Sequence, residues 1–157
     1  MLSGGASRIL AAVLRILIRH RTGAKAGQVE VYPVSRYNSL SLGRDVGCDV
    51  RFHPTRDIVV SRNHALIEWN QDDPPLFRIS DLLSSNGTFL NGRRIGSSVL
   101  LRSTDKIQLG MDGPVVEFTF EDVIRNAGMT GEHHVSEAAI RTDEIPAETV
   151  IRRRQDA

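Results

Sequence analysis

From Val29 onward the chain alternates between apolar and polar positions. VEVYPV is rich in β-branched and aromatic side chains, the pattern of a half-buried strand. Similar short runs follow: SLSLG, CDVRF, DIVV, HALIEW, LFRIS, TFLN, VLL, KIQLG and VVEFTF. Turn signals separate them, among them Gly43, Gly47, HPT, QDDPP, SSNG, the Asn91-Gly92 pair and MDGP. Strands at this spacing leave no room for crossover helices, so the pattern predicts an antiparallel sandwich or barrel. Trp69, Phe77, Phe89, Phe118 and Phe120 are its expected large core residues.

The flanks read differently. SRILAAVLRILIRHR predicts a short helix, apolar from Ile9 to Ile18, with Arg8, Arg15 and Arg19 near one face. Its apolar run is about half the length of a bilayer span, and no small-residue cleavage site follows it. A helix of this kind over residues 7–21 docks on a membrane surface, docks on a partner, or packs on its own domain. TGAKAGQ reads as a linker. Beyond Phe120, EDVIRNAG is either a strand end or a helical turn closed by Gly128, and from Thr130 the chain is too polar to offset its ordering entropy. The expected organisation is an amphipathic basic helix and linker (1–27), a β domain (28–122) and a flexible tail (123–157).

Charge and composition add limits. With 157 residues the chain fits one domain plus tails, and its net charge of +1 gives no global pull toward nucleic acid. The charge is uneven: no Asp or Glu precedes Glu30, whereas Arg8, Arg15, Arg19, Arg21 and Lys25 do. Cys48 is the single cysteine, which excludes an intramolecular disulfide and a cysteine-based zinc cage and suits a cytoplasmic setting. His133 and His134 have no partner ligands nearby in sequence, and no metal or cofactor is expected. The terminal IRRR is a short solvated basic run.

Three polar clusters interrupt the strand-rich region, each in a connection: Gly43-Arg44, Ser61-Arg62-Asn63-His64, and SSNGTFLNG from Ser84 to Gly92. Connections of a sandwich gather at its two ends, so loops distant in sequence can line one site. Arg44, Ser61, Arg62, Ser85 and Asn86 together offer two guanidiniums, two hydroxyls and an amide. That donor set suits a doubly charged, acceptor-rich group, and phosphate is the match.

The ordered set GR, SRNHA and SSNGTFLNG, within a frame from about Val29 to Phe120, closely resembles the forkhead-associated (FHA) domain. The resemblance implies an all-β fold, an FHA-like sandwich of about eleven mostly antiparallel strands, that recognises phosphothreonine. It implies that Arg44 and Ser61 contact the phosphate and that Arg62 adds a second charge. Ser85 would lie near the phosphothreonine, and Asn86 would hold the peptide backbone, with the threonine methyl in a small pocket beside it. Gly43, His64, Gly87, Thr88, Asn91 and Gly92 would support the site, with His64 as a strut between loops and Asn91-Gly92 as a positive-φ turn. FHPTRDIVV is longer and more charged than the family minimum, so His53, Arg56 and Asp57 are candidates for altering access or peptide selection.

The resulting expectation is a non-catalytic adaptor that reads phosphothreonine in Ser/Thr-kinase signalling, cytoplasmic, with peripheral membrane docking through residues 7–21 as one use of the N-terminus. Its partner is a phosphothreonine-containing protein, and the chain is itself a candidate kinase substrate. The alternative is an adaptor acting mainly through its basic N-terminus on membrane or nucleic acid, the latter disfavoured by the small net charge. An enzyme built on Ser61 and His64 is disfavoured, since no G-x-S-x-G elbow, phosphate loop or H-E-x-x-H is present. Thr142, in RTDEIP, and to a lesser degree Thr149, in ETVIRRR, are candidate phosphosites that would fold the tail back onto its own site.

Overall fold

Residues two apart along a strand share one face, and the burial pattern follows that rule through most of the chain. The computed structural model describes residues 13–123. Its strands are β1 (Leu14–His20), β2 (Val29–Pro33), β3 (Ser39–Gly43), β4 (Val50–Arg51), β5 (Ala65–Trp69) and β6 (Phe77–Asp81), then β7 (Thr88–Leu90), β8 (Arg93–Arg94), β9 (Val99–Leu101), β10 (Lys106–Leu109) and β11 (Val115–Asp122). One sheet has six strands in the order β2-β1-β11-β10-β7-β8, and the other has five, β4-β3-β5-β6-β9. All the pairings are antiparallel except β3 with β4. The inner faces bury Ile16, Ile18, Tyr32, Leu40, Leu42, Ile67, Ile79, Ile107 and Phe118 in one core. The fold is an all-β sandwich of eleven strands in two sheets.

The N-terminal helix is not found where the described residues cover it. Leu14–His20 is a strand between β2 and β11. Ile16, Ile18 and His20 face the core, and Leu17 on the other face joins Val29 and Val31 in a second buried cluster. Arg15 pairs in register with Glu121 and Arg19 with Glu117, so the basic residues meet carboxylates across the strands. The earlier part of the expected helix, with Arg8, lies outside the described residues, as do the tail and Thr142 and Thr149. Among the described residues no helix is long and apolar enough to cross a membrane.

Two other expectations change. DIVV is a turn rather than a strand. Asp57 is buried, accepting hydrogen bonds from the backbone of His53 (2.9 Å) and of Ala24 (3.2 Å), so it coils its own loop and ties it to the β1–β2 connection. Val60 of the same run plugs the core while Ile58 stays exposed. His53 also serves the loop, its Nδ1 accepting the backbone N–H groups of Thr55 and Arg56, whereas the Arg56 side chain stays exposed. Phe89 is half-buried outside the core, unlike Phe77 and Phe118, while Trp69 and Phe120 pack against the core's edge.

Glu30 on β2 is buried beside Lys25 (3.2 Å), His20 (3.5 Å) and the Tyr32 hydroxyl (2.6 Å). Burial acts to raise its carboxyl, but the His20 contact and the Lys25 charge outweigh burial and hold it at about 2. The core at this end of the sandwich is thus closed over an ionised carboxylate, which β1 helps to cage.

Candidate functional site

Three loops meet at one end of the sandwich, and backbone hydrogen bonds bring them together. The Arg44 and Asp45 N–H groups donate to the Ser61 and Arg62 carbonyls at 3.1 and 3.0 Å, clamping the β3–β4 loop to the β4–β5 loop. Gly43 sits where this approach is closest. A Cβ on it would stand 2.0 Å from the Arg62 carbonyl oxygen, so the need for glycine comes from packing. The Cys48 thiol donates to the same carbonyl at 3.2 Å, and burial pushes its pKa upward, away from the reactive thiolate.

The β6–β7 loop joins through Ser61. The Ser85 N–H donates to Ser61 Oγ at 3.0 Å, and the Asn86 side-chain amide donates to the Val59 carbonyl at 2.9 Å. A hydroxyl carries one donor and two acceptor positions, so Ser61 keeps its proton for a visitor. Asn86 likewise keeps its carbonyl oxygen and one N–H. Arg44 is more constrained: Nε donates to the Val60 carbonyl and Nη1 to the Pro54 carbonyl, leaving the rest of the fork free. Arg62 is exposed beside it. Arg44, Ser61, Arg62, Ser85 and Asn86 are therefore gathered around one short stretch of backbone, from Val59 to Arg62.

His64 lies behind them, fully buried. Its Nδ1 accepts the Ser61 N–H at 2.9 Å, which places the proton on Nε2, donated to the Gly87 carbonyl at 2.8 Å. Burial lowers its pKa below the ordinary 6.5, although the Gly87 bond and the Asp81 charge oppose the shift, so the ring is neutral near pH 7. With both nitrogens engaged by backbone, the imidazole has no lone pair for the Ser61 hydroxyl and cannot serve as its base.

Asp81 organises the third loop. Its carboxylate accepts the Ser84 N–H (3.0 Å), the Ser84 hydroxyl and the Thr88 hydroxyl (2.6 Å), and Ser84 Oγ in turn accepts the Gly87 N–H at 2.9 Å. Burial acts to raise Asp81, but these bonds outweigh it and hold the carboxyl below its ordinary value. Gly87 adopts φ +86°, a conformation most side chains avoid. Sequence reading missed Asp81 and Ser84, although an Asp three residues before a Ser is the signal of a side-chain-capped turn. Asn91 and Gly92 lie apart from the clamp. They form the β7–β8 turn with φ of 50° and 86°, and Asn91 bonds Asp105 and Lys106 instead. Among the described residues no cluster suits a metal ion.

The sandwich has counterparts among known proteins. The family model for the FHA domain matches residues 40–110, which span all three loops. The solution structure of the FHA domain of an Arabidopsis thaliana hypothetical protein superposes with a TM-score of 0.57 at 27% identity, covering 71% of this chain and 87% of that one. The FHA domain of the CT664 protein from Chlamydia trachomatis gives 0.55 at 24% identity, over 67% and 96%. A structure from a study of phosphothreonine-dependent FHA domain interactions gives 0.53 at 25% identity, over 67% and 95%. No curated protein sequence matches the chain. With the loops clamped as described and the sandwich shared, residues 40–110 of the chain are an FHA domain, a non-catalytic phosphothreonine-binding module.

Proposed function

We propose that this chain reads phosphothreonine on partner proteins in Ser/Thr-kinase signalling, in the cytoplasm, through Arg44, Ser61, Arg62, Ser85 and Asn86. The observation that carries the reading is the Ser85 N–H bond to Ser61 Oγ beside the Arg44 fork. It leaves a hydroxyl proton, guanidinium N–H groups and the Asn86 amide unspent in one place. Phosphate oxygens would take the first two, and the bound peptide's backbone would take the third. Hydrogen bonds to charged groups contribute about 1.5–3 kcal/mol each. A few of them, less ordering costs, give micromolar affinity, about −8 kcal/mol. Gly43, His64, Gly87 and Thr88 support the loops, and Asn91-Gly92 sets only the neighbouring hairpin.

The pairing of Arg15 and Arg19 with Glu121 and Glu117, and of Arg21 with Glu117, weighs against membrane docking through Leu14–Arg21. The test is titration of the full chain with a phosphothreonine peptide library and its unphosphorylated counterparts. Selective capture of phosphopeptides, lost in Ser61→Ala, supports the reading. Equal binding of both peptide sets overturns it.

A further inference from the structure

Arg94 occupies a position that the phosphate clamp does not use. On β8 it stands directly across from Phe89 on β7. Its guanidinium reaches back over Gly87: a Cβ placed on Gly87 would lie 2.8 Å from Arg94 Nε and 2.9 Å from its Cζ. The positive charge is thus parked on the backbone one residue past Asn86. Four arginines of the domain are spent internally, Arg15 on Glu121, Arg21 on Glu117, Arg51 on the Arg44 carbonyl and Arg78 on Ser98; Arg94 is set apart from the other exposed arginines by its place over Gly87. Arg94 is exposed, and its side chain has no hydrogen bond or ion pair to any described residue.

We propose that Arg94 is a specificity-determining residue, forming a second anion subsite for an acidic side chain that flanks the phosphothreonine. The inference rests on the phosphothreonine reading above. Ser85 and Gly87 are two residues apart, and an extended peptide advances about 3.3 Å per residue. A peptide phosphorylated over Ser61 and Ser85, with its backbone held by Asn86, brings a side chain about two or three residues from the phosphate to the Arg94 head. The ligand at that point must be an anion that accepts from a planar fork, a Glu or Asp carboxylate. Holding the guanidinium over Gly87 in advance lowers the ordering cost of the contact. The glycine matters here, since any side chain at position 87 would push the guanidinium away.

The test uses the full chain and three kinds of peptide: unphosphorylated, phosphothreonine with neutral flanks, and a phosphothreonine series scanned with one Glu from three residues before to three residues after. The quantity read is the ratio of affinities between acid-flanked and neutral-flanked phosphopeptides. The best position is expected to favour Glu about fivefold at low salt, the size of a well-formed exposed ion pair. The ratio should shrink with added salt, as a screened contact must. In Arg94→Ala it should fall to about one, and Arg94→Lys should restore part of it. A ratio near one in the parent at every position overturns the subsite while leaving the clamp intact. So does a ratio that survives Arg94→Ala, including the case in which Arg94→Ala weakens all phosphopeptides equally, since Arg94 then acts as a general cation. Failure of every phosphopeptide to bind overturns the phosphothreonine reading itself, and the subsite with it.

Discussion

Replacing His64 by Ala separates a strut from a ligand contact. The ring is fully buried, holds the Ser61 N–H at 2.9 Å and donates to the Gly87 carbonyl at 2.8 Å. Gly87 would keep its second partner, the Gly110 N–H at 2.8 Å, so that acceptor suffers little. The Ser61 N–H would have no acceptor, at a cost of about 1–3 kcal/mol. The void left by a buried ring of this size adds about 2–3 kcal/mol. A total of about 3–6 kcal/mol lowers the melting temperature by roughly 15–30 °C in a domain of this size. Phosphopeptide binding should weaken as well, because the Ser61 loop loses its fixed position. Calorimetric melting and peptide titration of the same sample decide the matter. A variant that melts like the parent but no longer binds would place His64 against the ligand and refute the strut. The pH dependence is a second check. The folded ring titrates below 6.5, so the unfolded chain binds the proton first. Stability from this group is complete above pH 6.5 and is lost as pH falls through the folded value. That part of the profile should flatten in His64→Ala.

Other substitutions should act differently. Arg44→Ala and Ser61→Ala should each weaken phosphothreonine-peptide binding at least about tenfold, roughly 1.4 kcal/mol; unchanged affinity in both, measured by titration, would remove the clamp. Arg44→Ala should also melt a few degrees lower, since its bonds to the Val60 and Pro54 carbonyls hold the β4–β5 loop. Phosphothreonine should outbind matched phosphoserine by about 1–3 kcal/mol if a pocket beside Asn86 receives the methyl; equal titrations would exclude that pocket. Leu83 is 97% exposed at φ 55°, so Leu83→Gly relieves a left-handed conformation costing about 1–2 kcal/mol and should raise the melting temperature slightly. A lower melting temperature would show that the leucine side chain makes a stabilising contact.

The sequence marks the candidate clamp residues by the order of their motifs, GR, SRNHA and SSNGTFLNG, and the fold brings those three loops together. Ser61, Ser85 and Asn86 stand in short polar runs between strands, where each run alone is ordinary turn chemistry. What was not legible is what those residues are fastened to. The partners of Arg44 and Asn86 are backbone carbonyls of Pro54, Val59 and Val60, and every residue carries a carbonyl, so nothing in the letters marks these three. Asp57 reads as a charge facing a visitor, yet it turns inward to accept one backbone N–H from its own loop, that of His53, and one from the β1–β2 connection, that of Ala24. Gly43 was expected at a turn for its freedom, whereas the fold uses its missing side chain.

The misread strand β1 has a specific cause. Arg15 and Arg19 are four residues apart, a spacing that keeps one face on a helix and equally on a strand, since four is near one helical turn and is twice the strand period. The arginine stripe therefore could not choose between them. The choice lay in Ile16 and Ile18, β-branched residues that alternate with the rest, and in a second pair with the same spacing about a hundred residues later, Glu117 and Glu121. Antiparallel pairing with register Arg15 to Glu121 and Arg19 to Glu117 neutralises both ends at once. A helix would leave those carboxylates without partners on a strand whose inner face, Val116 and Phe118, needs a neighbour to cover the core. The same pairing explains the uneven charge at the start of the chain. A segment without carboxylates suits a strand laid between acidic positions, Glu30 on one side and Glu117 and Glu121 on the other. The basic bias that suggested an outside partner is thus used, over Leu14–His20, inside the domain.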